Sequence, residues 1–193
     1  MKADHHLALY NFGLHVAPYG DPAIDGFVRR ESLNFEAAVR AEGYIARSGY
    51  DGEPGPASWG VQVFPRFIES SGFTSGPSSL SLWADPESLM AFSYAGVHAE
   101  ALKNARHWNV KQQWPPLVLF WVKAGDLPQW HDGVERLEHL ADNGPSAFAF
   151  TFKQAFDPCG APYTLDRARV KALTTQNLQN QQDLLRALAS ISL

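Results

Sequence analysis

The sequence predicts an α+β fold in which an antiparallel sheet is built from strands interleaved with helices. Four short apolar segments are typical of strands: 7–16, 44–50, 79–83 and 117–122. One helical segment lies between the first two strands and another between the last two. This order, strand, helix, strand, strand, helix, strand, is that of the ferredoxin-like split βαβ arrangement, with both helices on one face.

Individual residues in the first half of the pattern indicate where its strands and its helix begin and end. Along 7–16 the side chains alternate, so that Asn11 and Phe12 fall on opposite faces of the strand. Asp21 and Pro22 supply a capping residue and a proline at the first helical position, and Gly43 can end that helix. The strand 44–50 follows directly.

A long inserted loop, 51–79, separates the two halves. It is rich in glycine, proline and serine but contains an apolar island, WGVQVFPRFI, at 59–68. Loops of this length are often lids or binding loops, and an ordinary surface insertion is the alternative. The sequence leaves both open.

The segment 83–108 predicts the second helix and carries the candidate catalytic residue. Asp85, Pro86 and Glu87 form a helix start, and spacings of three and four place Tyr94, His98 and Leu102 on one inward stripe. Gly96 weakens the pattern by about 1 kcal/mol relative to alanine. We expect the helix either to break at Gly96 or to leave room there for a neighbour.

The last third of the chain is predicted to be mainly helical. A helix runs from Leu127 or Pro128 to about Leu140, and 147–152 alternates as a short strand. The tail 164–193 has helical composition. We expect it to pack on the domain or on a second subunit, or to end in a mobile stretch. We therefore expect a domain at 1–156, containing the 51–79 loop, and a C-terminal helical extension at 157–193.

Composition narrows the class of partner. The chain has 193 residues, 45% of them hydrophobic, and a net charge of −4 without a cluster of lysine and arginine. We therefore do not expect nucleic acid or a membrane as a partner of this protein. We expect a small-molecule partner. The single Cys159, the lack of a membrane-length apolar run and the polar start predict a cytoplasmic protein.

Standard catalytic motifs are missing from the sequence. It contains no HExxH, GxGxxG or GxSxG pattern, so no metal is expected, and neither a nucleotide loop nor a serine hydrolase is indicated. Five histidines are interpreted as surface residues: His5, His6, His107, His131 and His139. His98 is the histidine to which we assign a functional position, because it lies on the inward stripe of the second helix.

Several segments resemble the uncharacterised bacterial family catalogued as domain of unknown function 3291 (DUF3291), within the dimeric α+β barrel superfamily that includes antibiotic-biosynthesis monooxygenases. The matching pieces are LALYNFGL at 7–14, LSLWADPESLMAFSYAGVHAEALKNARHW at 80–108, PLVLFWVKAGDLP at 116–128, and 134–152. The resemblance implies a homodimer and a pocket between the sheet and the helices of each subunit. It implies no single reaction.

Haem-degrading members of that superfamily offer a closer comparison. They place an asparagine on the first strand and a haem-ligating histidine on the second helix, and Asn11 matches the first. Aligned from Trp83, however, the ligating position falls near Leu102, one turn beyond His98. Haem is therefore an alternative, and the leading expectation is an enzyme without a cofactor.

We expect a small-molecule enzyme, a cofactor-independent, monooxygenase-like oxidoreductase in which His98 acts as acid or base. Asn11 would orient a developing oxyanion and Tyr94 would donate or relay a proton. Substrate contacts are expected from Trp83, Leu102, Trp108 and Phe12. The alternatives are an isomerase, cyclase or lyase using the same pocket, a haem enzyme with His98 as ligand, and a small-molecule-binding dimer in which His98 is packed without a catalytic role.

Overall fold

The computed structural model describes residues 4–69 and 71–191. Its strands are β1 His5–Phe12, β2 Tyr44–Arg47, β3 Ser78–Trp83, β4 Leu117–Lys123, β5 Ala155–Phe156 and β6 Pro162–Tyr163. Its α-helices are α1 Asp25–Val39, α2 Pro86–Ser93, α3 Gly96–Asn104, α4 Trp130–Asn143, α5 Arg167–Asn180 and α6 Gln182–Ala189. Short 3-10 helices lie at Pro22–Ile24, Arg66–Ile68 and Ala105–His107.

The main sheet has the strand order β2-β3-β1-β4. The strand β1 is antiparallel to both of its neighbours, with Asn11 opposite Ser79 on β3 and opposite Leu117 on β4. This order, with β1 and β3 in the centre, confirms the predicted ferredoxin-like α+β fold. The short strands β5 and β6 form a separate hairpin that the sequence analysis missed.

One face of the sheet is covered by α4 of the same compact unit. Tyr10 and Phe12 of β1 belong to a core cluster with Trp130 and Leu137 of α4. At Gly133 a Cβ atom would lie 2.6 Å from the Tyr10 ring, so only glycine allows the helix to approach this closely. Burial of this apolar face is the main stabilising term of the sheet unit.

The described residues divide into two compact units. One contains the sheet and α4, within residues 1–14, 45–85 and 112–164. The other contains α1, α2, α3, α5 and α6, within residues 15–44, 86–111 and 165–193. In this helical unit α5 packs on α2, and α6 packs on α1 and α3. The tail 164–193, predicted to be helical, thus forms α5 and α6 and packs on helices of its own chain, while its last two residues lie outside the described range. The first part of the predicted extension 157–193 instead carries β6 and belongs to the sheet unit.

The structure decides the question left open for 83–108 and changes one predicted strand. The helix expected over 83–108 is interrupted, with α2 ending at Ser93 and α3 beginning at Gly96. The strand expected at 147–152 is reduced to an isolated bridge between Leu119 and Phe150, because the chain turns back after Phe150 through a bridge from Thr151 to Gln154. Within residues 4–69 and 71–191, no helix is long and apolar enough to cross a membrane.

Candidate functional site

The break between α2 and α3 positions His98. Gly96 has φ +58, in the left-handed region that glycine adopts without strain, and α3 starts there without a side-chain cap from Ala95. The polypeptide can therefore change direction at this point. Of the two alternatives that Gly96 offered, the structure shows both, since the helix breaks and a neighbouring side chain approaches.

That neighbour is Gln181, between α5 and α6. Its Oε1 accepts a hydrogen bond from the Val97 backbone N–H at 3.3 Å, and a Cβ at Gly96 would lie 2.3 Å from the same oxygen. Gln181 is buried. A residue of the C-terminal extension therefore satisfies one of the free N–H groups at the start of the helix that carries His98.

His98 itself is held across the break. Its Nδ1–H donates to the Ser93 carbonyl at 2.8 Å, and its ring lies 4.8 Å from the Phe92 ring. Burial lowers the pKa of His98, and the hydrogen bond to Ser93 opposes this only in part. The imidazole is therefore neutral at pH 7, with the proton on Nδ1 and the basic lone pair on Nε2.

Two other residues of the predicted stripe lie toward solvent. Tyr94 is 58% exposed and Leu102 is 46% exposed. Tyr94 follows the last residue of α2, so the helical spacing that was expected to bring it to His98 does not apply. Trp108, in contrast, is buried within the helical unit, where its ring lies under the Arg30 guanidinium at 5.2 Å.

The predicted site residues of the sheet unit divide between its two faces. Asn11 and Trp83 share one face, because their partners in the ladder are Ser79 and Leu7 and side chains alternate along β1. They are separated by four residues along β1, or about 14 Å. Phe12 points to the opposite face, into the cluster covered by α4. Phe12 and Asn11 therefore do not line the same pocket wall.

The amide of Asn11 has a fixed orientation. Its Oδ1 accepts a hydrogen bond from the Ser79 backbone N–H at 2.8 Å. The Nδ2 group is consequently the part of the side chain left to act as a donor. Trp83 is buried, and its Nε1–H donates to Ser81 at 3.0 Å, so its polar atom is already used within the sheet.

A second neutral histidine was missed by the sequence analysis. His15 is 7% exposed, and its Nδ1–H donates to the Asn109 side-chain oxygen at 2.8 Å. The Phe27 ring lies 4.6 Å away, and burial lowers the pKa of His15. Its Nε2 is buried without a hydrogen-bond partner among the described residues. No local spacing could have found this pair, because its members are 94 residues apart.

Among residues 4–69 and 71–191, no group of three or more histidine, cysteine, aspartate or glutamate side chains could hold a metal ion. His98 is a neutral, oriented imidazole, and such a group can take up a proton at Nε2.

Comparison with known proteins identifies the family. The model of the domain of unknown function DUF3291 matches residues 6–166, which is most of the chain. The protein belongs to this family. No curated protein matches the chain, and no solved structure matches it.

Proposed function

We propose that this protein is a small-molecule enzyme in which His98 acts as a general base. The observation that carries the proposal is the fixed tautomer of His98, whose Nδ1–H is bound to the Ser93 carbonyl at 2.8 Å. Nε2 is then the atom that accepts the substrate proton. The lowered pKa keeps this nitrogen unprotonated at neutral pH, as a base requires.

The substrate class follows from the strength of this base. A neutral imidazole can form a free anion from a weak carbon or oxygen acid when that anion is delocalised, as in enols, electron-rich phenols and activated ketones, and this is the substrate class that we propose. If molecular oxygen then accepts electrons from the carbanion, the enzyme is a cofactor-independent monooxygenase. If the proton is returned elsewhere or the carbanion attacks a carbonyl, it is an isomerase or a cyclase.

The monooxygenase version is the form that we propose, on the resemblance to the antibiotic-biosynthesis monooxygenase superfamily. We include a homodimer in the same proposal. Its two sheets would not pair through the face that carries Tyr10 and Phe12, because α4 covers that face. Sedimentation equilibrium of the purified protein tests the dimer independently of the chemistry.

The decisive experiment compares proton exchange and oxygen use in matched variants. Enolisable aromatic ketones and polyhydroxylated aromatics are incubated with protein in D₂O, in air and under argon, and C–H exchange is followed by NMR. We expect exchange under both gases, oxygen consumption in air, and at least a 100-fold loss of both in His98→Gln. Glutamine can keep a donor toward the Ser93 carbonyl but has no basic nitrogen.

The control is His107→Gln, which changes an exposed histidine of the same unit. It should retain the wild-type rate. Wild-type exchange in His98→Gln, with an unchanged melting temperature, would overturn the catalytic role. Exchange without oxygen consumption would favour the isomerase or cyclase, and a Soret band on haemin titration that is lost in His98→Ala would replace the proposal with haem chemistry.

A further inference from the structure

An open groove lies in the sheet unit, where β4 ends and α4 begins. Its volume is about 610 Å³, within the range of small-molecule sites. It is lined by Phe120, Val122, Lys123, Gly125, Asp126, Leu127, Pro128, Asp132 and Arg136. Four of these nine residues are charged and the others are apolar or glycine, so the walls combine polar and apolar surface.

Arg136 is held flat on one wall of this groove. Its guanidinium carbon lies 4.4 Å from the centre of the Phe120 ring and 4.6 Å from that of the Phe148 ring. Nη1 donates to the Asp132 carbonyl oxygen at 3.1 Å. The two rings fix the plane of the guanidinium, so its remaining N–H groups point in set directions.

The positive charge of Arg136 is incompletely compensated. Its Nε is buried without an acceptor among the described residues, and the nearest carboxylate oxygen, on Asp132, is 3.8 Å from Nη1. Asp132 is also engaged elsewhere, since its other oxygen accepts from the Gln129 backbone N–H at 2.7 Å. Burial is the largest influence on the pKa of Arg136 and lowers it. A cation in this position gains from an additional anion.

We propose that this groove binds a small monocarboxylate with an apolar body. The carboxylate would accept hydrogen bonds from the Nη groups of Arg136, since Nε is buried. The apolar body would lie against Val122 and Leu127. Lys123 is exposed at the rim and adds a second positive charge.

The charge balance of the groove selects a carboxylate over a phosphate. Asp126 and Asp132 line the same groove as Lys123 and Arg136, so two carboxylates oppose two cations. A singly charged ligand of small size can approach Arg136 without meeting both acids. A dianion would be repelled more strongly, and it would gain nothing from the apolar walls.

The test is calorimetric titration of the full chain with 3-phenylpropionate, its neutral amide, and inorganic phosphate. We expect saturable binding of 3-phenylpropionate, and at least ten-fold weaker binding of the amide and of phosphate. Arg136→Met retains a long apolar side chain between the two rings, and it should weaken 3-phenylpropionate binding at least ten-fold. Arg66→Met removes an exposed cation of the same unit and should leave the affinity unchanged.

Three results with 3-phenylpropionate would overturn the proposal. They are no binding of 3-phenylpropionate by the wild type, equal affinity for acid and amide, and equal affinity in the wild type and a folded Arg136→Met variant. Tighter binding of phosphate than of 3-phenylpropionate would also reject it. Circular dichroism and a melting curve establish that the variant is folded before it is titrated.

Discussion

Arg30 in the helical unit and Arg136 in the sheet unit are both withdrawn from solvent, yet their surroundings differ. The Arg30 side chain is 3% exposed and bonds to both oxygens of Glu100 at 3.0 and 3.2 Å. It also donates to the carbonyls of Gly26 and Ile191, at 2.9 and 3.3 Å. The Arg136 side chain is 19% exposed, donates to one carbonyl and has a buried Nε without an acceptor.

This difference separates a structural arginine from a candidate binding residue. A buried guanidinium is stable when its donors are all matched, and Arg30 is matched by groups from three segments of the helical unit. Arg136 is matched in part and lines an open groove. The charge of Arg136 is thus incompletely compensated by the protein, and an anion in the groove can add to that compensation.

The largest change in the free energy of unfolding is expected from substitution of Arg30. Arg30→Met should lower the free energy of unfolding by about 2–3 kcal/mol, because Glu100 and two carbonyl groups lose their donor. The value is below that of a fully buried pair, since the Glu100 side chain is 31% exposed. Urea unfolding followed by circular dichroism measures it. Arg29→Met, which removes an exposed pair with Asp25, should cost less than about 0.5 kcal/mol, and equal losses in the two variants would contradict the assignment.

A smaller effect is expected from Arg136→Met. The variant loses one hydrogen bond and two ring contacts, but it no longer buries a poorly compensated charge, so the free energy of unfolding should change by less than about 1 kcal/mol. The same urea experiment measures it. A loss as large as that of Arg30→Met would show that Arg136 is structural, and the comparison would then fail.

The smallest effect is a pH dependence that differs between the two units. Burial lowers the pKa values of His15 and His98 below the ordinary 6.5. As the pH falls, these histidines therefore take up protons in the unfolded chain at a higher pH than in the native protein. The stability that the two neutral histidines contribute is complete above pH 6.5 and is lost as the pH falls through their native pKa values. In the sheet unit, burial raises the pKa of Tyr10 above its ordinary 10.0, so stability there is lost above pH 10.

The measurement is urea unfolding between pH 5 and 8, in the wild type and in a double variant, His15→Gln with His98→Gln. The double variant should lose less stability than the wild type when the pH falls below 6.5. An identical pH dependence in the two proteins would show that neither histidine is buried neutral in solution.

Much of the fold was predictable because its signals are local. The alternation along β1 and the capping residues Asp21, Asp85 and Pro86 each act within a few residues, and the element order then leaves few ways to build the sheet. The inward stripe through Tyr94, His98 and Leu102 was wrong because the helix breaks at Gly96, which was one of the two outcomes that the sequence left open. The strand at 147–152 was wrong because alternation does not reveal where the partner strand ends.

The family, the α+β class, the position of α4 and the helical nature of the tail 164–193 follow from the amino-acid sequence alone, since each depends on periodicity or on a motif within one segment. The alternation along β1 also placed Asn11 and Phe12 on opposite faces, but only the three-dimensional structure shows that α4 covers the face that carries Phe12. The structure alone placed Gln181 at the start of α3, paired His15 with Asn109, and left Arg136 without a full set of acceptors. These contacts join residues far apart in the chain, and whether a buried polar group is satisfied depends on every neighbour around it.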